Sequence, residues 1–186
     1  MEKNLGAFEN EILTVNGIPY RALRLLGRGK GGYSYLARRE SSEGDTHCDG
    51  GLVVLKQIHH EPCDYYTFGN KIEAERRDYG RLTAAGIRVP RLIDIDEENE
   101  RIVKEFIDGR TVAELVSEGA LAPEIMEEGK RMAELAKSAG LNIDYYPTNF
   151  VPDESGALYY VDYECNDYMD EWSFDNWGKK YWLEFP

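Results

Sequence analysis

The chain has 186 residues, 42% hydrophobic and 31% charged, enough to bury a core without disulfides in one large lobe or two small ones. Thirty-five acidic against 22 basic side chains leave a net charge of −13, which argues against a sequence-independent grip on nucleic-acid phosphates. The three cysteines, Cys48, Cys63 and Cys165, are an odd and sparse set, and no apolar run approaches the length of a secretory signal or membrane span. A reducing cytoplasm is therefore the expected compartment, with no membrane as partner.

In chain order, Ile18 to Leu26 alternates as a strand and runs into Gly27-Arg-Gly-Lys-Gly-Gly32. Tyr33 to Arg38 leaves that loop as a second strand. After a polar, Gly-rich turn over Glu40 to Gly51, Leu52 to Ile58 forms a third, making three antiparallel strands. The spacing of Ile72, Tyr79 and Leu82 predicts a helix over Tyr65 to Ala85, which stops before Val89-Pro90. Arg91 to Asp96 and Arg101 to Ile107 read as a hairpin around Glu97-Glu-Asn-Glu100, and Asp108-Gly109 is a natural joint between lobes. Two helices follow, about Thr111 to Glu118 and Pro123 to Ala139, the second amphipathic through Ile125, Met126, Met132, Leu135 and Ala136. Gly140 ends it. Phe150 to Val161 is then a short hairpin between two polar segments.

Those polar segments hold Asp144, Asn149 and Asp162, five and then thirteen residues apart (149−144, 162−149). They follow a glycine-rich loop and a strand-borne lysine in the order a phosphoryl-transfer site requires. Gly27, Gly29 and Gly32 stand as G-x-G-x-x-G between two strands, where missing side chains let backbone N–H groups approach a polyphosphate. Lys56, inside the apolar Val53-Val-Leu-Lys56, must bring its ammonium to a counter-charge, because an unpaired buried charge costs several kcal/mol. Phosphate oxygens and a helix carboxylate would supply it. Glu75 and Glu73 compete for the carboxylate role, and two residues turn about 200° on a helix, so both cannot face Lys56. Helix geometry alone leaves the two open.

In these motifs the chain resembles the protein-kinase-like superfamily: Val53-Val-Leu-Lys56 is similar to the V-A-I-K strand, Asp144 to Asn149 to the catalytic loop, and Asp162-Tyr163-Glu164 to the metal-binding motif. The spacing from Glu75 to Pro90 is similar to that of small kinase-like proteins, and this resemblance implies Glu75 rather than Glu73 as the partner of Lys56. The resemblance implies an α+β, bilobal protein-kinase-like fold in a single domain over 1–186. An N-lobe over about 1–107 would hold an antiparallel sheet and one helix, and a hinge over about 105–110 would lead to a reduced, mainly helical C-lobe over about 111–186. It implies ATP and Mg²⁺ as cofactors, with Gly27, Gly29, Gly32, Lys56 and Glu75 at the phosphates. The Glu105 carbonyl and Ile107 amide would read adenine from the hinge, Asn149 and Asp162 would hold the metal, and Asp144 would act on the acceptor hydroxyl of a protein Ser/Thr or a small molecule.

The pattern also departs from the family. Asn142 stands where the family has the His of H-x-D, Tyr146 where it has Lys two past the catalytic Asp, and Glu164 where it has Gly. These features are closer to compact, atypical members: lipopolysaccharide kinases, aminoglycoside-phosphotransferase relatives and the small kinase of the tRNA-modification complex. Only 22 residues follow Glu164 (186−164), so the resemblance covers about Leu23 to Glu164 and lacks the helical subdomain that docks peptides. In that tail Tyr168, Trp172, Phe174, Trp177, Tyr181, Trp182 and Phe185 are expected to cap the small lobe. The alternative for them is a protein-partner surface on a nucleotide-binding pseudokinase scaffold or a partner-dependent ATPase. His47, Cys48, His59, His60 and Cys63 follow no zinc-ligand spacing, and no zinc site is expected of them.

Overall fold

Short alternating strands separated by Asn/Gly turns dominate the first hundred residues, and they form one antiparallel sheet. The computed structural model describes residues 8–29, 31–40, 51–60 and 69–186. The chain divides into two units, Met1–Glu73 with Arg91–Phe106, and Ala74–Pro90 with Ile107–Pro186.

The first unit holds β1 (Ile12–Val15), β2 (Ile18–Arg28), β3 (Gly32–Arg39), β4 (Leu52–Ile58), β5 (Leu92–Asp96) and β6 (Arg101–Glu105), ordered β1-β2-β3-β4-β6-β5. The strand β1 is absent from the sequence reading. Its signal is the two-residue turn Asn16-Gly17, with φ of 45° and 82°, the left-handed pair that a tight hairpin needs. The sheet curls because that turn is tied to the far edge: the Asn16 amide donates to Asp96 Oδ2 and its side chain to Asp94 Oδ1 and the Ile95 carbonyl, all at 2.9 Å. Arg101 Nη1 adds a bond to the Thr14 carbonyl at 2.6 Å. Inside the curl Val15, Tyr35, Ala37, Leu55 and Val103 are fully buried. The opposite face carries a smaller cluster of Ile58, Ile72 and Ile102.

The helix α1 (Lys71–Ala84) starts later than the spacing predicts, because the Asn70 side chain accepts from the Glu73 amide at 3.1 Å and caps it. The expected first turn from Tyr65 lies mostly outside the described residues.

In the second unit, α2 (Val112–Ser117) opens on a reciprocal capping box: the Glu114 amide donates to Thr111 Oγ1 at 3.2 Å and the Thr111 amide to Glu114 Oε2 at 2.7 Å. The helix α3 (Pro123–Ser138) buries Ile125, Gly129, Met132 and Ala136. Its inner stripe therefore runs through Gly129, while Leu135, expected on it, is 39% exposed. Gly129 is small for a reason: a Cβ there would meet the Trp182 ring at 2.5 Å. Beyond α3 come β7 (Leu141–Ile143), β8 (Phe150–Pro152), β9 (Leu158–Tyr160), β10 (Cys165–Asp167) and α4 (Lys179–Leu183), with β7 paired to β10 and β8 to β9. The β8–β9 hairpin was expected, and the β7–β10 ladder was not. The architecture is α+β with a curled six-stranded antiparallel sheet and four helices among the described residues. None of those helices is long and apolar enough to cross a membrane.

Candidate functional site

In the first unit the glycine segment is a tighter turn than the motif suggests. Gly27 lies within β2, in register with Ser34, and the chain reverses where the Gly29 amide donates to the Gly32 carbonyl at 2.9 Å. The three glycines do different work. A Cβ on Gly32 would sit 2.5 Å from the Gln57 carbonyl oxygen, so the backbone of β4 demands that glycine. Beside Gly27 there is open space, and beside Gly29 the nearest atom is 3.9 Å away, which is what close backbone approach of a phosphate needs. A stack absent from the sequence reading steadies the turn: Arg28 lies over Tyr33 at 5.6 Å, Tyr33 packs on His59 at 4.8 Å, and His59 Nε2 is 3.1 Å from the Gly29 carbonyl.

Lys56 is 9% exposed and sits on the isoleucine face of the sheet, directly between Ser34 and Ile102 in cross-strand register. Glu105 ends β6, where its amide donates to the Arg91 carbonyl at 2.9 Å and its carboxylate accepts from the Arg91 amide at 3.0 Å. On α1, Glu73 is exposed, whereas Glu75 is half-buried with its Oε2 shut off from solvent. Ile107, in the second unit, is buried. Of the residues weighed as zinc ligands, His60 faces the Glu100 carboxylate at 2.7 Å, and His47, Cys48 and Cys63 lie outside the described residues. Among the described residues no three His, Cys, Asp or Glu side chains cluster as a metal site.

The second unit brings Asp144, Asn149 and the Asp162 segment together. Asp144 follows β7 and is exposed, and its Oδ1 accepts from the Tyr146 amide at 3.1 Å, which fixes the turn. A single 3₁₀ turn, Pro147–Asn149, then returns Asn149 so that its Nδ2 donates to the Asp144 carbonyl at 3.3 Å. The Val161 amide donates to the Asn149 carbonyl at 2.9 Å, placing Asp162 one residue beyond that bond. Asp162 Oδ1 accepts from the Tyr163 amide at 2.8 Å.

Tyr160, which the sequence reading passes over, is the central strut. Fully buried, its hydroxyl donates to the Glu164 carbonyl at 2.8 Å and accepts from the Asp144 amide at 3.3 Å. Burial first, and then the charge of Asp162, hold the phenol well above its ordinary pKa, so it stays protonated as a donor. Tyr163 anchors the same segment through its hydroxyl to the Pro90 carbonyl at 2.6 Å. The alternation of Leu158-Tyr-Tyr160 is the only sequence signal for Tyr160, and it gives the strand without the bond.

The tail divides into a buried and an exposed part. Trp182 is 1% exposed, donates from Nε1 to the Tyr145 carbonyl at 2.8 Å, and packs on Phe150 at 4.9 Å and Phe174 at 5.3 Å. Trp172, by contrast, is 48% exposed and Trp177 half-buried, so only one of the three tryptophans is a core residue.

Set against known proteins, the chain matches no protein-family model and no curated protein.

Proposed function

We propose that the chain is an ATP-dependent phosphotransferase of bilobal kinase-like build, moving the γ-phosphoryl group of Mg-ATP to a hydroxyl of a protein Ser/Thr or a small molecule. The observation that carries the reading is the mutual anchoring of Asp144, Asn149 and the Asp162 segment through the Asn149 side chain, the Val161 amide and the Tyr160 hydroxyl. Phosphoryl transfer depends on positioning and charge neutralisation, and fixed polar groups on hydrogen-bonded turns supply positioning.

The part of the first unit is to hold the nucleotide. Backbone amides around Gly27 and Gly29 face the phosphates, Lys56 neutralises their oxygens, and the Glu105 carbonyl reads the base. The part of the second unit is chemical. Asp144 orients the acceptor hydroxyl and takes its proton as the new P–O bond forms and the bond to the β-phosphate oxygen breaks, ADP leaving with the electron pair. Asn149 and Asp162 offer amide and carboxylate oxygens, a donor set that fits Mg²⁺, which takes few protein ligands and completes its shell with phosphates and water. When bound, that ion supplies charge neutralisation at the β- and γ-phosphates.

A second reading, a nucleotide-binding scaffold, is favoured by one observation: Trp172, Met169 and Leu183 are 48%, 52% and 68% exposed on the aromatic tail, a surface that fits a protein partner. Incubation with Mg-[γ-³²P]ATP separates the readings. A phosphotransferase labels itself or an acceptor in cell extract, a partner-dependent ATPase releases phosphate once the partner is added, and a scaffold does neither. Lys56→Met should lower transfer by about 10²-fold or more while the protein stays folded. Undiminished labelling by that variant would overturn the assignment.

A further inference from the structure

The tail leaves aromatic surface open in one continuous strip. Trp172 meets Trp177 at 5.9 Å, Trp177 meets Tyr181 at 5.3 Å, Tyr181 meets Tyr146 at 5.2 Å, and Tyr146 meets Phe185 at 5.3 Å. Trp172 is 48% exposed and the other four are half-buried, so each ring keeps part of its surface in water. The strip reaches the candidate site, because the Tyr146 amide is the donor to Asp144 Oδ1. Capping of the small lobe falls to Trp182, and phosphoryl transfer has no use for a row of open rings.

The charge around the strip selects what would cover it. Between Lys137 and Lys179 the sequence holds nine Asp and Glu residues and no Lys or Arg. Other elements answer part of that charge: Arg81 meets Asp167 at 2.5 Å, and Lys179 meets Asp175 at 3.7 Å. Glu171, exposed beside Trp172, has no basic partner among the described residues. The chain itself sets cations on two of its tail tyrosines, Lys137 over Tyr168 at 5.3 Å and Lys180 over Tyr181 at 4.8 Å. Among the described residues no cation lies over Trp172 or Trp177, although an indole face attracts a cation best.

A second copy of a chain with net charge −13 would bring like charge to this surface, and a purely apolar partner would press on its carboxylates. Arginine meets both features at once. Its planar guanidinium lies flat on an aromatic ring and offers several donors to a carboxylate, whereas the ammonium of lysine is compact and strongly hydrated.

We propose that the strip from Trp172 to Tyr146 is a docking surface for an arginine-rich segment of a partner protein, with guanidinium groups on the Trp172 and Trp177 rings and Glu171 as a counter-charge. This goes beyond the phosphotransferase reading and stands without it, since the surface needs no nucleotide to bind.

The test is fluorescence polarisation of a labelled peptide of alternating Arg and Ala titrated with the full chain, without nucleotide. Physiological ionic strength is used, where attraction between exposed charges beyond about 8 Å is screened. Counterparts with Lys, or with uncharged citrulline, in place of Arg are titrated alongside. The Arg peptide should bind most tightly, the Lys peptide less and the citrulline peptide least. Trp172→Ala and Trp177→Ala should each weaken the Arg peptide by about twofold to thirtyfold, the range of one cation–π contact, and Trp172→Phe should fall between Trp172→Ala and wild type. Glu171→Gln should weaken it by up to about fivefold. Glu98→Gln, the same charge change at an exposed residue of the first unit, should leave it unchanged. Melting curves show which variants are folded. Undiminished affinity in folded Trp172→Ala, equal losses from Glu98→Gln and Glu171→Gln, or a Lys or citrulline peptide bound as tightly as the Arg peptide would overturn the proposal. Failure to label with Mg-[γ-³²P]ATP bears on transfer alone, and loss of peptide binding bears on the strip alone.

Discussion

Replacing Trp182 by alanine should be the most damaging single change in the tail, and its size follows from the packing. The indole is 1% exposed and lies edge-on to Phe150 and Phe174, with Gly129 shaped to receive it. Truncating a fully buried tryptophan costs about 3–5 kcal/mol. For a chain of this size each kcal/mol moves the melting temperature by about 2–4 °C, so a fall of about 6–20 °C is expected. The same change at Trp172, 48% exposed and touching Trp177 at 5.9 Å, should cost about 1 kcal/mol or less. Trp182→Phe keeps most of the apolar volume but leaves the Tyr145 carbonyl without its donor, at about 1–3 kcal/mol. Gly129→Ala should also destabilise, by about 1–3 kcal/mol, because its methyl meets the indole rim. Far-ultraviolet circular dichroism melts read all four without relying on tryptophan emission. A Trp182→Ala protein melting within about 2 °C of wild type, or a larger loss at Trp172, would refute the claim that one tryptophan holds the tail to the segment around Asp144.

Asp162→Asn should weaken Mg²⁺-dependent nucleotide binding, since an amide replaces an anionic ligand, whereas Asp144→Asn should spare binding and stop transfer. Calorimetry in which both variants bind Mg-ATP alike would contradict that division of labour. Tyr160→Phe should cost about 1–3 kcal/mol and lower transfer, because it strips one partner each from the Asp144 amide and the Glu164 carbonyl; unchanged stability and rate would remove the strut. Burial first, with Asp78 adding to it, lifts the Cys165 thiol from 9.0 to about 11, so at pH 7 its thiolate is scarce and alkylation mapped by mass spectrometry should be slow until the protein is denatured. Because the folded pKa is the higher, that group's contribution to stability is complete below about pH 9 and is lost as the pH rises towards 11. Rapid native alkylation at pH 7 would show the thiol to be accessible.

How much of this was legible in the sequence depended on whether a feature was local. The strands around Lys56 and the hairpin between Asn149 and Asp162 are written as alternation and turn residues within a few positions of each other, and they were read correctly. The strand β1 was missed because four residues are too short a run, although Asn16-Gly17 announced its turn. The start of α1 is set by the Asn70 side chain, a cap that the spacing of Ile72, Tyr79 and Leu82 does not register, while residues 65–68 of the expected helix lie outside the described residues. Within the candidate site, residue types and spacing named Asp144, Asn149 and Asp162, but nothing local distinguishes Tyr160 from its exposed-side neighbour Tyr159. Their difference lies in a bond to Asp144 sixteen residues away.

Residues 142 and 146, the two positions flanking Asp144 that differ from the kinase pattern proposed for it, both make their contacts with the tail. Asn142, in place of the usual histidine, is buried and accepts from the Met169 amide while donating to the Trp172 carbonyl at 3.1 Å. An amide can do both at once, whereas an imidazole has a single donor and a single acceptor set at opposite sides of its ring. Tyr146, in place of the usual lysine, packs on Tyr181 at 5.2 Å and Phe185 at 5.3 Å. Between them Tyr145 stacks on Phe174 at 5.6 Å, and Gly178 is small because a Cβ there would come within 2.4 Å of Tyr145. Residues 142, 145 and 146 thus each meet a different part of the last eighteen residues. Through these contacts the C-terminal segment packs on both sides of Asp144, at residues 142, 145 and 146, and braces the turn that carries it.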